Sequence, residues 1–154
     1  MQDTDEPTIF QPCACLSTDY PVSFAIFALA RSHRARAANL LAGIGLFPGQ
    51  EILLMHLGEK DGQPQKSLCD ITGLDHSTVT KSLVRLERSG LIERQKCAED
   101  GRVSKVYLTE KGREATTAIA KVWADLERRT VSGLSPEDQA QLIALSGKIA
   151  AHME

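Results

Sequence analysis

The sequence predicts a mainly α chain carrying one small β-hairpin. Between Asp75 and Arg88 the apolar residues Val79, Leu83 and Leu86 recur at the spacing of a single helix face. Just beyond, two stretches of alternating polarity, Ile92–Cys97 and Val103–Thr109, flank an Asp100-Gly101 pair of the kind that closes tight hairpins. Long helical stretches, about Tyr20–Ala42 and Glu110–Thr130 followed by a last helix from Pro136, lie on either side of that centre.

The centre specifies more than its class. Asp75 suits an N-cap, because its carboxylate can accept from the unpaired N–H groups of the first turn. At about 100° per residue, Ser77, Lys81 and Arg88 point away from the apolar face, with Thr78 and Arg85 flanking them. The polar face is short-armed at the helix start and cationic further along, a gradient fitted to base edges first and phosphates later. Ser89-Gly90 ends the helix, glycine being the usual left-handed cap. In the hairpin, Val106 and Leu108 share one face, and Val103, Lys105 and Tyr107 share the other. A helix-turn-helix followed by a basic-tipped hairpin is a winged helix. Its helix enters a major groove while Arg102, at the tip, reaches a minor groove whose narrowness concentrates negative potential. Asp100 is placed to brace the Arg102 guanidinium.

The run Leu-Val-Arg-Leu-Glu-Arg-Ser-Gly-Leu-Ile-Glu-Arg from Leu83, then Asp100-Gly101-Arg102, then Leu108-Thr109-Glu110-Lys111-Gly112, resembles the signature of the MarR family of bacterial winged-helix regulators. The resemblance runs from about Tyr20 to the C-terminus and is densest between Leu83 and Gly112. It implies a homodimer on a pseudo-palindromic operator of double-stranded DNA, usually a repressor released by a small molecule or by oxidation. Carried residue by residue, it assigns DNA contacts to Ser77, Thr78, Lys81 and Arg85 on the recognition helix, and to Asp100 and Arg102 on the wing.

In chain order, residues 1–19 form an acidic arm containing Pro7, Pro12, Cys13 and Cys15, expected to be mobile or docked on a partner. Residues 20–154 form one domain. Its first helix, from Tyr20-Pro21, carries Phe24, Phe27, Leu40 and Leu41 with Arg31, Arg34 and Arg36 between them, and stops at Gly43 and Gly45. Pro48 is expected in the first turn of the next helix, which carries Ile52, Leu53, Met55 and Leu57 up to Asp61-Gly62. Pro64-Gln65 opens a short helix through Leu68, Ile71 and Thr72, and Gly73 turns the chain into the recognition helix. After the wing, Thr109 caps a helix to about Thr130 with Ile119, Val122, Trp123 and Leu126. Ser135-Pro136-Glu137-Asp138 then reads as a cap, a first-position proline and acids at the positive helix end. Residues 48–112 are the reading head, while 20–47 and 113–154 carry apolar surface beyond what a lone winged helix needs. That surplus points to a two-fold dimer on palindromic half-sites.

Composition bounds the remaining options. Of 154 residues, 42% are hydrophobic and 25% charged, which places the chain among globular proteins. The formal charge of −2 hides an asymmetry: residues 75–113 hold nine Lys/Arg against six Asp/Glu, whereas residues 1–24 hold four acids and no Lys or Arg. No apolar run approaches the roughly 20 residues of a membrane span, and the acidic start is unlike a signal peptide, so a cytoplasmic protein without membrane contact is expected.

No catalytic frame is present, neither a nucleophile elbow, nor a phosphate loop, nor a recognisable carboxylate pair, and no enzyme activity or cofactor is expected. His33, His56, His76 and His152 lack the short spacing of a metal site. Cys69 reads as a small core residue, and Cys97 as a quiet wing residue. Cys13 and Cys15 are the redox candidates. Their acidic surroundings disfavour the thiolate, but the resembling family's peroxide-sensing branch has a reactive cysteine near the start of its first helix. The favoured effector is a small organic ligand, which the resemblance places between dimer helices and reading head. Arg34 is the candidate that could pair a carboxylate there. Cysteine-based release is the alternative, and a winged helix that docks a protein instead of DNA is the third reading.

Overall fold

The computed structural model describes residues 14–96 and 104–153. They form seven helices and three strands: α1 (Ala14–Asp19), α2 (Pro21–Ala42), α3 (Gln50–Glu59), β1 (Gln63–Pro64), α4 (Gln65–Thr72), α5 (His76–Arg88), β2 (Ile92–Lys96), β3 (Ser104–Leu108), α6 (Glu110–Thr130) and α7 (Pro136–Ala150). The expected mainly α class with a small hairpin is what the chain adopts. Two compact units are distinguished, one ending at Ala35 and the other starting at Arg36.

In the second unit, helix and sheet share one apolar core. Val79, Leu83 and Leu86 of α5 are fully buried, together with Leu53, Leu54 and Leu57 of α3, Leu68 of α4 and Ile119 of α6. The strands lie antiparallel in the order β1-β3-β2, with Ile92 opposite Leu108 and Arg94 opposite Val106. This register turns Ile92, Val106 and Leu108 into the core, as their alternation requires. Gly112, in the first turn of α6, meets the chain closely: a Cβ there would lie 2.0 Å from the Leu91 carbonyl oxygen. Only glycine lets α6 start against the turn that ends α5.

Three local expectations differ from the structure. Pro48 does not enter α3. The N-cap is Gly49 in the left-handed conformation, with φ 92°, so the helix begins at Gln50. The strand β1, which pairs Gln63 with Val106, was not expected, because two residues are too few to show alternation. The last residues of the anticipated arm, Ala14–Asp19, are helical. Among the described residues, no helix is long and apolar enough to cross a membrane.

Candidate nucleic-acid interface

The recognition helix is built from its cap. Asp75 holds an extended φ/ψ of −64°/150° and accepts through Oδ1 from the Thr78 N–H at 2.9 Å. The Ser77 hydroxyl donates to the same Oδ1 at 2.5 Å, and the Thr78 hydroxyl to Oδ2 at 2.6 Å. These bonds, the Ser77 hydroxyl first, hold the Asp75 carboxyl well below the usual carboxylate range. An ionised carboxylate has no proton to give, so both short contacts use the hydroxyl hydrogens. What Ser77 and Thr78 still offer outward are lone pairs. Toward a partner molecule this arrangement can accept a hydrogen bond but not donate one.

One and two turns further, Lys81 and Arg85 are exposed on the same side as Thr78, opposite the three buried anchors. The Arg85 guanidinium lies over the ring of Phe47, 5.7 Å from its centroid. Phe47 stands on the loop before α3, 62% exposed. A polar link joins the two helices of the helix-turn-helix: Gln65 Nε2 of α4 donates to Thr80 Oγ1 of α5 at 2.6 Å, and Thr80 donates in turn to the His76 carbonyl at 2.7 Å. Sequence reasoning passed over Phe47, Gln65 and Thr80, because each acts through a residue distant in sequence.

The base of the wing is tied to the helices around it. Asp61 accepts from the Leu108 N–H of β3 at 2.9 Å and from Arg113 Nη1 of α6 at 3.0 Å. Lys111 Nζ donates to the Ser89 carbonyl at 2.8 Å, a cation at the negative end of α5. Thr109 Oγ1 donates to the Gly90 carbonyl at 2.7 Å and accepts from the Gly112 N–H, as its capping role requires. Arg94 of β2 approaches Glu87 of α5 at 3.5 Å. Asp100 and Arg102, the expected wing-tip contacts, lie outside the described residues, as does Cys97.

The effector and redox candidates fall in the first unit. Arg34 is exposed and, with Phe27, Ala30 and Arg31, lines a pocket of about 450 Å³. Cys15 is exposed in α1 and disulfide-bonded, while Cys13 lies outside the described residues. Cys69 is a free thiol, half-buried against the core. Among the described residues, no group of three or more His, Cys, Asp or Glu side chains could hold a metal ion.

Known proteins match this architecture. The MarR family model covers residues 44–103, the span from the α3 approach through the wing. A probable transcriptional regulator from Pseudomonas aeruginosa is 30% identical, with 86% of this chain and 98% of that chain covered and a TM-score of 0.77. MepR of S. aureus, solved in complex with DNA, is 25% identical over 86% of this chain and 98% of its own, with a TM-score of 0.78. PcaV from Streptomyces coelicolor, solved with its natural ligand, shares the fold at 24% identity, over 94% of this chain and 100% of its own, with a TM-score of 0.77. With the capped recognition helix, the hairpin behind it and a 30% identical relative matched over nearly its whole length, the chain belongs to the MarR family of transcriptional regulators.

Proposed function

We propose that this protein is a homodimeric, cytoplasmic repressor that binds a pseudo-palindromic operator and leaves it when a small organic ligand binds. The observation that carries the DNA reading is the outward face of α5. Thr78, Lys81 and Arg85 are exposed together on a helix whose opposite face is locked in the core, and Asp75 has already fixed the hydroxyls of its first turn. Ser77 and Thr78 read base edges, Lys81 and Arg85 hold the backbone, and the wing adds Arg102 braced by Asp100 in the minor groove. Residues 48–112 then serve as the reading head, and MepR supports the assignment as a relative solved on DNA.

Dimerisation is supported by α7. None of its residues is buried, yet it carries Leu142, Ile143, Leu145 and Ile149 exposed, with Ile143 at 74%. A helix with an apolar set that no described residue buries calls for a second chain. In this reading residues 20–47 and 113–154 make the two-fold contact, and residues 1–19 form an appended arm. The effector is a small carboxylate with an apolar body, its acid paired by Arg34 and its body on Phe27 and Ala30.

A duplex selected by the protein from a randomised library supplies the test. Neutralisation of phosphate by Lys81 and Arg85 on each protomer predicts a log–log salt slope of about −4. A flat salt dependence, or a monomer by light scattering, would overturn the proposal. Aromatic carboxylates should release the duplex from wild type and lose that effect with Arg34→Ala. Release by mild peroxide that thiol reductant reverses, and that Cys13→Ser/Cys15→Ser abolishes, would favour the redox alternative, for which the exposed, disulfide-bonded Cys15 is the supporting observation.

A further inference from the structure

Phe47 is a large aromatic ring left 62% exposed on a loop that the core does not need it to cover. Its backbone is held firmly all the same. The Phe47 N–H donates to Gln50 Oε1 at 2.9 Å, and the Phe47 carbonyl accepts from the Gln50 N–H at 3.0 Å. Gln50 is itself buried, and Leu46, the residue before the ring, is buried in the core. The ring therefore stands on a fixed turn, and the group lying over it is the Arg85 guanidinium.

We infer that Phe47 is a positioning residue for the DNA interface, a platform that holds Arg85 in place without spending its charge. The inference rests on the proposed DNA-binding reading. An arginine can be fixed on a surface in two ways. A carboxylate would order it but take up its edge N–H donors and cancel the charge that attracts phosphate. A ring attracts the guanidinium through its quadrupole without cancelling the charge, and it leaves N–H donors available for phosphate. Among the described residues, no carboxylate makes a salt bridge with Arg85. Arg85 is thus ordered before DNA arrives, and less rotamer freedom is lost on binding, an effect of about two- to tenfold in affinity per protomer.

The test is a double-mutant cycle on the full-length protein, using a duplex that the wild type selects from a randomised library. Phe47→Leu, which keeps apolar bulk and removes the ring, should weaken binding by about two- to tenfold per half-site, while Phe47→Trp should retain wild-type affinity. In an Arg85→Gln background, Phe47→Leu should cost nothing further. The unfolding midpoint of Phe47→Leu reports whether the variant is intact, and a largely exposed side chain leaves it near wild type. In the free protein, the side-chain protons of Arg85 should show ring-current shifts by NMR that Phe47→Leu abolishes. Equal losses in both backgrounds, no loss in either, or unshifted Arg85 protons would overturn the platform role while leaving DNA binding standing. A wild type that selects no duplex at all would overturn the DNA-binding reading, and the platform with it.

Discussion

Deleting one exocyclic amine from the operator should cost this protein measurable affinity, whereas deleting a guanine N7 acceptor beneath the same turn should not. The reason lies in the two short bonds that Ser77 and Thr78 donate to Asp75, at 2.5 and 2.6 Å. With both hydrogens committed, each hydroxyl meets the major groove as an acceptor, and only adenine N6 and cytosine N4 present a matching donor there. A neutral hydrogen bond contributes about 0.5–1.5 kcal/mol net. One such bond per half-site, made twice in a two-fold complex, gives about 1–3 kcal/mol, or roughly a five- to 150-fold change in Kd. The assay is fluorescence anisotropy on a selected duplex in which adenines opposite the helix start are replaced by purine, and guanines by 7-deazaguanine. Purine also weakens base pairing, so the same substitutions are measured against a Ser77→Ala/Thr78→Val protein, which should be indifferent to the amine. A loss confined to the 7-deaza duplex would mean that the hydroxyls donate, refuting the geometry argument. A purine penalty equal in wild type and double mutant would do the same.

Lys81→Ala should lower affinity on every sequence alike and reduce the salt slope by about one per phosphate contact removed, whereas Arg102→Ala should cost about 1–3 kcal/mol if the wing enters the minor groove; parallel salt titrations separate the two. Leu83→Ala opens a cavity in a fully packed site and should destabilise the fold by about 2–5 kcal/mol, read from denaturant unfolding followed by helical circular dichroism. Glu51, 7% exposed with Oε2 unpartnered, has its carboxyl pushed up by burial, against a smaller downward pull from backbone N–H groups. Its folded value therefore exceeds the ordinary one, near 4.5, so its contribution to stability is full below that pH and is lost as pH rises through the folded value. Glu51→Gln should lie nearest to wild type in acid and gain on it in denaturant midpoint as pH rises; a gap that does not widen with pH would refute this.

The parts of the fold that could be read in the sequence are those governed by neighbours along the chain. The face made by Val79, Leu83 and Leu86, the caps at Asp75, Thr109 and Ser135, and the left-handed Gly90 each follow from residues within a turn or two. Periodicity and capping chemistry act at that range, so the bounds of α6 and the alternation of β3 were legible before any packing was known. Where range failed, so did the reading. Pro48 looked like a first-turn proline, but Gly49 beside it takes φ 92° and moves the helix start to Gln50. The strand β1 exists because Gln63 and Pro64 find Val106 and Lys105 more than 40 residues away, and two residues carry no pattern.

The same distinction of range runs through the interface itself. Lys81 and Arg85 could be placed on or beside the outward face by the helical wheel, because charge and exposure are properties of a single helix, while the family resemblance chose Arg85 over Arg88. What prepares them could not. The Gln65–Thr80 bond that sets α4 against α5, the Asp61 carboxylate that joins β3 to α6, and the Phe47 ring beneath Arg85 are pairings across 15, 47 and 38 positions of sequence. None of these supporting residues belongs to a type that announces nucleic acid. Asp61 is an acid, and Phe47 is an apolar ring in a loop, features that a composition-based search for a DNA site discards. Around α5 the Phe47 ring lies against Arg85, the Ser89 carbonyl accepts from Lys111, and Asp75 and Asp61 accept from backbone N–H groups. Asp61 also pairs with Arg113, but that arginine stands on α6, behind the wing, and is not among the residues assigned to DNA. On the reading face, then, the placement of negative charge is as informative as the placement of positive charge. Its Asp75 carboxylate shapes the helix start, and among the described residues no carboxylate makes a salt bridge with Lys81 or Arg85.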